Sequence, residues 1–193
     1  MPDDDLGRAL VTIARRAIGA ALAKARSAER AGPGHPALAS PGATFVTLFK
    51  YGTLRGCIGT LEARRPLGDD VRANAVAAAF ADPRFPRLGS DEFLATTVEI
   101  SLLSAPEAMT VDDEQSLRDQ LRAGVDGVVL EYAGRRATFL PQVWDSLHEP
   151  AEFLAELKRK AGLPIDFWSP GVKISRYAVT KWRESDLRAV EAT

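Results

Sequence analysis

Cys57 is the only cysteine of the chain, and it lies in the run Leu54-Arg55-Gly56-Cys57-Ile58-Gly59. A thiol becomes a good nucleophile once ionised, and a guanidinium close by favours the ionised form. Arg55 precedes Cys57 by two residues, so on a regular strand the two side chains leave the same face. Gly56 and Gly59 weaken a strand in packing and in backbone entropy, which marks a bend or a close approach. Without an activating charge a free cysteine packs as a small apolar residue, and the spacing alone leaves both readings open. Glu99 adds a carboxylate in mid-strand, flanked by Thr97 and Ser101 on its own face. If that face meets the Arg55 face, the two form a site couple; otherwise Glu99 belongs to a solvated sheet surface.

No second cysteine offers a redox partner. The histidines, His35 and His148, are far apart in sequence, no ligand pair has metal spacing, and no cofactor or metal is expected. Asp82-Pro83-Arg84-Phe85-Pro86 reads as a helix stop with a packed Phe85 or as a binding loop. Gln142, leaving a strand after Leu140-Pro141, orients a ligand or caps the loop. Lys158-Arg159-Lys160 is most simply a helix C-terminus matched to its dipole.

The elements that must position these residues follow from periodicity. Leu6, Leu10, Ile13, Ala14, Ala17, Ile18, Ala21 and Leu22 share a helical face, and the helix is expected to end near Ala31-Gly32-Pro33. The proline- and glycine-rich stretch 32–42 reads as an irregular loop. Strands 44–50 and 53–60 are joined through Tyr51-Gly52 as a tight hairpin. Regular alternation then pairs Leu48 with Arg55 and Val46 with Cys57. It also gathers Phe45, Phe49, Leu54 and Ile58 into a core face opposite Lys50, Arg55 and Cys57. A second helix opens at Pro66 with Asp69 and Asp70 in its first turn, and its alanine-rich body suits close packing. A strand spans 93–104 and a short helix 112–122. A hairpin turns at Ala133-Gly134, a helix runs 150–161, and a last strand lies near 172–182. Hairpins mixed with helices give α+β.

With 193 residues, 46% of them hydrophobic and 26% charged, the chain has the composition of a folded protein with a real core. Its 25 basic residues are balanced by 26 acidic ones, which argues against nucleic acid as the partner. Its acidic start is unlike a secretory signal, and no apolar run suits a membrane. A single cysteine fits a reducing compartment, so the reading is cytoplasmic.

The hexapeptide and the motifs after it resemble the AMMECR-one domain family. The matching runs include Asp82-Pro83-Arg84-Phe85, Glu99-Ile100-Ser101-Leu102-Leu103, Gly124-Val125-Asp126-Gly127, Thr138-Phe139-Leu140-Pro141-Gln142-Val143, Phe153-Leu154 and Lys160-Ala161-Gly162-Leu163. They fall in family order and cover nearly the whole chain. The resemblance implies one domain over 6–182, made of two subdomains with a cleft between them, with flexible ends at 1–5 and 183–193. It raises Arg55, Cys57, Asp82, Arg84 and Glu99 as site candidates; taken with the residue reading, Cys57, Arg55 and Glu99 are the catalytic candidates, and Gly56, Gly59, Asp82, Arg84 and Gln142 the substrate-binding ones. Family association implies Memo-like and radical-SAM proteins as partners in a modification pathway. The expected function is an enzyme or substrate-handling component, with a non-catalytic protein-binding adaptor as the alternative.

Overall fold

In the computed structural model, which describes residues 3–23 and 34–190, Asp3 starts the first helix by accepting the Asp5 and Leu6 N–H groups. This helix, α1 (Asp4–Leu22), buries Leu10, Ile13, Ala14, Ala17 and Ile18. The end expected near Ala31-Gly32-Pro33 lies outside the described residues. A 3-10 turn, Pro36–Ala39, leads into β1 (Pro41–Lys50) and β2 (Thr53–Gly59). Tyr51 and Gly52 both have positive φ, 51° and 80°, the pair of left-handed residues that a two-residue hairpin turn requires.

The chain divides into two compact units, Met1–Leu103 with Thr180–Thr193, and Ser104–Val179. In the first, β3 (Arg65–Pro66) leads into α2 (Leu67–Phe80), and α3 (Ser90–Phe93) precedes β4 (Thr96–Leu103). The sheet runs β2-β1-β4-β9, where β9 is Val179–Arg183, and β3 pairs with β1. Its core joins Leu10, Ile18, Val46, Leu48, Val71, Ala75, Val98 and Ile100. Val46, Leu48, Val98 and Ile100 therefore mark the face of the sheet that the helices cover. Asp70 does more than answer the helix dipole. It is buried and accepts from the Thr44 N–H and hydroxyl at 2.9 and 2.7 Å, which clamps α2 onto β1.

The hairpin register departs from the expectation in one place. Lys50 pairs with Thr53 and Phe49 with Leu54, but Leu48 then pairs with Gly56. Arg55 is the extra residue of a β-bulge, and a one-residue shift exchanges the two faces of everything beyond it. Ile58 joins the core from the helix-covered side, whereas Phe45 and Phe49 are half-buried on the opposite side and Leu54 is exposed. The expected core face of Phe45, Phe49, Leu54 and Ile58 is thus corrected to Val46, Leu48 and Ile58. Beyond β9, residues expected as a loose end form α6 (Glu184–Val190), with Glu184 and Leu187 buried. Arg15 holds Glu184 through Nε at 2.9 Å and Nη2 at 2.6 Å, and the same carboxylate accepts the Val98 N–H at 3.1 Å.

The second unit contains β5 (Glu107–Ala108), α4 (Glu114–Gln120), β6 (Gly127–Tyr132), β7 (Arg135–Phe139), α5 (Pro150–Lys160) and β8 (Lys173–Tyr177). Its antiparallel sheet runs β5-β8-β6-β7. Trp144 stacks on Phe153 with centroids 3.8 Å apart, in a core with Leu117, Leu130, Leu154, Leu157 and Ile174. Lys158, Arg159 and Lys160 form the basic last turn of α5, and Lys158 there is buried and donates to Glu114 at 2.8 Å. The single last strand expected near 172–182 is two strands, β8 and β9, belonging to different sheets and parted at Ala178. The protein is α+β, with antiparallel sheets flanked by helices.

Candidate functional site

On the sheet face turned away from α1 and α2, one residue from each of three strands falls in a row. Thr47 of β1 is the register partner of Cys57 on β2 and of Glu99 on β4. The Thr47 hydroxyl donates to Cys57 Sγ at 3.3 Å. From β9, Arg183 donates through Nε and Nη2 to Glu99 Oε2, at 3.1 and 2.7 Å. Glu99 and Ser101 are about nine-tenths buried, and Cys57 is half-buried. Phe45 and Phe49 stand on either side of Thr47 along β1.

The bulge removes Arg55 from this row. Its guanidinium donates to Glu92 at 2.9 and 3.3 Å, Lys50 donates to the same carboxylate at 2.9 Å, and the Phe85 ring lies 5.9 Å from the guanidinium carbon. Arg55, together with Lys50, holds the Glu92 carboxyl down to about 2. The expected couple of Arg55 with Glu99 is therefore replaced by two couples, Arg55 with Glu92 and Arg183 with Glu99.

The cation at Cys57 is Arg84. Its Nη2 donates to the Cys57 carbonyl at 3.3 Å. Asp82 chiefly strengthens its charged form, and the Cys57 side chain adds to this. Asp82 is buried and accepts the Cys57 N–H at 2.8 Å, the Arg84 N–H at 3.1 Å and the Arg84 guanidinium at 2.7 and 3.0 Å. Arg84 above all, aided by those N–H groups, holds the Asp82 carboxyl well below the usual carboxylate range against burial. Strand β2 is an edge, and Asp82 with Arg84 occupies its outward N–H and C=O at Cys57, which also protects the edge from pairing with another chain. The segment after α2 is thus more than a helix stop.

The two glycines of the hexapeptide have separate reasons. A Cβ on Gly56 would stand 2.2 Å from the Ala78 carbonyl oxygen of α2, so this glycine lets helix and strand meet. A Cβ on Gly59 would stand 2.3 Å from the Phe45 ring, which lies over it on the site face. Gln142 is exposed on the 3-10 turn Pro141–Asp145 of the second unit. Among the described residues no three His, Cys, Asp or Glu side chains converge as a metal-ligand set, and no helix is long and apolar enough to cross a membrane. Sequence reasoning did not find Thr47 or Arg183. Thr47 sits between two phenylalanines at strand spacing, which is the signal that was available; for Arg183 there was none, because it lies past the last matching motif.

An α+β fold of two antiparallel sheets, with the hexapeptide on an edge strand, defines the class. The AMMECR1 family model matches residues 11–182, and the chain belongs to that family. A protein of Methanothermobacter thermautotrophicus is 37% identical over 186 residues, covering 93% of this chain and 95% of that protein. One of Sulfolobus acidocaldarius is 40% identical over 161 residues, covering 78% and 69%. The crystal structure of the uncharacterized protein PH0010 from Pyrococcus horikoshii is similar with a TM-score of 0.77 and 33% identity, over 94% of this chain and 93% of that one.

Proposed function

We propose that the face carrying Cys57, Thr47, Glu99 and Arg183 is the working surface of a thiol-dependent enzyme or substrate-handling protein. The observation that carries this reading is the half-buried Cys57 thiol, held by the Thr47 hydroxyl at 3.3 Å, with the Arg84 guanidinium bonded to the Cys57 carbonyl at 3.3 Å. A half-buried thiol can be reached by a reactant from this face, and its ionised sulfur is the nucleophile. In the covalent step the sulfur supplies the pair for a new S–C bond to an activated acyl carbon. The bond from that carbon to its leaving group breaks with its electron pair, and the leaving group takes the proton that the thiol gave up. Family association adds Memo-like and radical-SAM proteins as partners, and the single cysteine adds a reducing, cytoplasmic setting. The second reading, a non-catalytic protein-binding adaptor, is favoured by the two half-buried phenylalanines on the same face.

The test is the iodoacetamide reaction of the native protein at neutral pH, with Cys57→Ser as the blank. The thiol is expected to react before unfolding, and Arg84→Ala is expected to react several-fold more slowly while keeping its circular dichroism spectrum. A thiol that reacts only in urea overturns the nucleophile and leaves the adaptor.

A further inference from the structure

Glu99 is a buried carboxylate with half of its hydrogen-bonding capacity unused. Both Arg183 donors go to Oε2, and Oε1 finds no hydrogen-bond partner among the described residues. Two residues further along β4, the Ser101 hydroxyl also lacks one, and it too is about nine-tenths buried. Oε1 and the Ser101 hydroxyl are not among the fully buried unpartnered atoms, so each keeps some access to solvent and is open to a donor that a ligand brings. Neither oxygen is sealed in: both lie on the face turned away from the helices, next to half-exposed Arg183.

The neighbours of Glu99 on this face are aromatic. Phe45 pairs with Ser101 and Phe49 with Thr97, on either side of the Thr47–Glu99 pair. The Phe45 ring lies over Gly59 toward β2, while Phe49 meets Arg183 from the β9 side, its centroid 5.4 Å from the guanidinium carbon. The rings therefore lean to opposite sides and leave Thr47 between them. A carboxylate with a free oxygen beside an aromatic face is a cation receptor. The chain's own Arg183 already uses both groups, but without the two-oxygen fork that makes an arginine–carboxylate pair strong, and with its side chain 50% exposed.

Resting on the reading of this face as the working surface, we infer that Glu99, Phe49 and Ser101 bind an alkyl cation, a primary ammonium or guanidinium on an aliphatic stem, and that Arg183 is its internal competitor. The ligand cation donates to Glu99 Oε1 and lies against the Phe49 ring, while the Ser101 hydroxyl accepts a second N–H hydrogen bond. Such a group comes from a free amine or from a lysine side chain of a protein, and one chemistry serves both. Held there, it stands on β4, one strand away from Thr47 and two from Cys57.

The experiment is a titration of the 15N-labelled full chain, read from the backbone amide resonances of Thr47, Glu99 and Ser101. The probes are n-butylamine, the peptide acetyl-Gly-Lys-Gly-amide, and uncharged n-butanol at the same concentrations. Saturable shifts are expected with the two cations and not with n-butanol. Glu99→Gln is expected to weaken binding at least tenfold, and Arg183→Ala to tighten it several-fold, the opposite of what a purely structural arginine would do. Arg183→Gln is the second choice should the alanine variant fail to fold. Tighter binding of the peptide assigns a protein lysine, and tighter binding of butylamine a small-molecule amine. Equal shifts with n-butanol, no saturation with Arg183 removed, or unchanged affinity in Glu99→Gln overturns the inference. Cys57→Ser is expected to bind the cations as the native protein does. An inert thiol with intact cation binding therefore refutes the nucleophile alone, and a reactive thiol with no cation binding refutes this inference alone.

Discussion

Alanine at Gly56 confronts the tightest approach around the hexapeptide with a single added carbon. That Cβ would lie 2.2 Å from the Ala78 oxygen and 3.2 Å from the Ala78 carbonyl carbon. Carbon and oxygen settle at about 3.3 Å or beyond, so strand and helix must separate by about 1 Å at that point. The obstacle is helix backbone, which has no rotamer to escape into. A gap of about 1 Å forfeits roughly half of the dispersion attraction between atoms facing each other across it. The atoms concerned belong to Val71, Ala75, Ala78 and Ala79, which α2 contributes to the core. Overpacking that side chains can relieve costs about 1–3 kcal/mol, so the expected cost of Gly56→Ala is about 3 kcal/mol or more. With a urea slope of about 2 kcal/mol/M, the unfolding midpoint falls by about 1.5 M. Far-UV circular dichroism across a urea series measures it. Gly34→Ala is the control, because a Cβ there meets nothing within 4 Å. A midpoint shift in Gly56→Ala no larger than the control's refutes the assignment of this glycine to the α2 contact.

Two further outcomes separate structural charges from those of the site. Arg55→Ala is expected to lose about 1.5 kcal/mol, because Glu92 keeps Lys50 but loses its guanidinium donors, while native alkylation of Cys57 stays unchanged. Altered alkylation with unaltered stability reverses that assignment. For Glu92 the sign follows from a folded value of about 2 against an ordinary 4.5. The unfolded chain protonates first, so the stabilisation is complete above 4.5 and is lost as pH falls through about 2. The stability difference between the native protein and Glu92→Gln, followed by urea unfolding, is expected to hold from neutrality to about pH 5 and to shrink below it. A difference that stays constant down to about pH 2 refutes the depressed carboxyl.

The fold was legible wherever one residue type settles a backbone conformation or one face alone is apolar. Tyr51-Gly52 and Ala133-Gly134 both place two successive residues at positive φ, and both hairpins turn where the sequence indicates. Val98, Ile100 and Leu102 alternate with Thr97, Glu99 and Ser101, and β4 divides its faces in that way. Strand β1 defeats this logic because both of its faces are apolar. Val46 and Leu48 occupy one, Phe45 and Phe49 the other, and size favours the wrong pair. Only the bulge decides between them, and no residue type announces a bulge at an arginine. The division of the last strand at Ala178 is hidden for a similar reason, since 172–182 alternates well enough to pass for one strand.

The residues of the candidate site were legible by type, and their partners were not. Cys57, Asp82, Arg84 and Glu99 stand out by residue type, and the structure brings the first three together through the Cys57 backbone and the Asp82 carboxylate. Which cation answers which carboxylate depends on register, and one inserted residue reassigns them all. With a regular strand, Arg55 and Cys57 would both fall on the Val46–Leu48 face, opposite to Glu99. With the bulge it turns to Glu92, and Glu99 must draw its cation from Arg183, 84 residues away in sequence. The same insertion places Gly56 under α2 and Gly59 under Phe45. The arginine, the thiol and the two glycines of the hexapeptide are therefore explained by one irregularity. It commits Arg55 to holding the hairpin in place and leaves Cys57 facing the row of Thr47, Glu99 and Arg183.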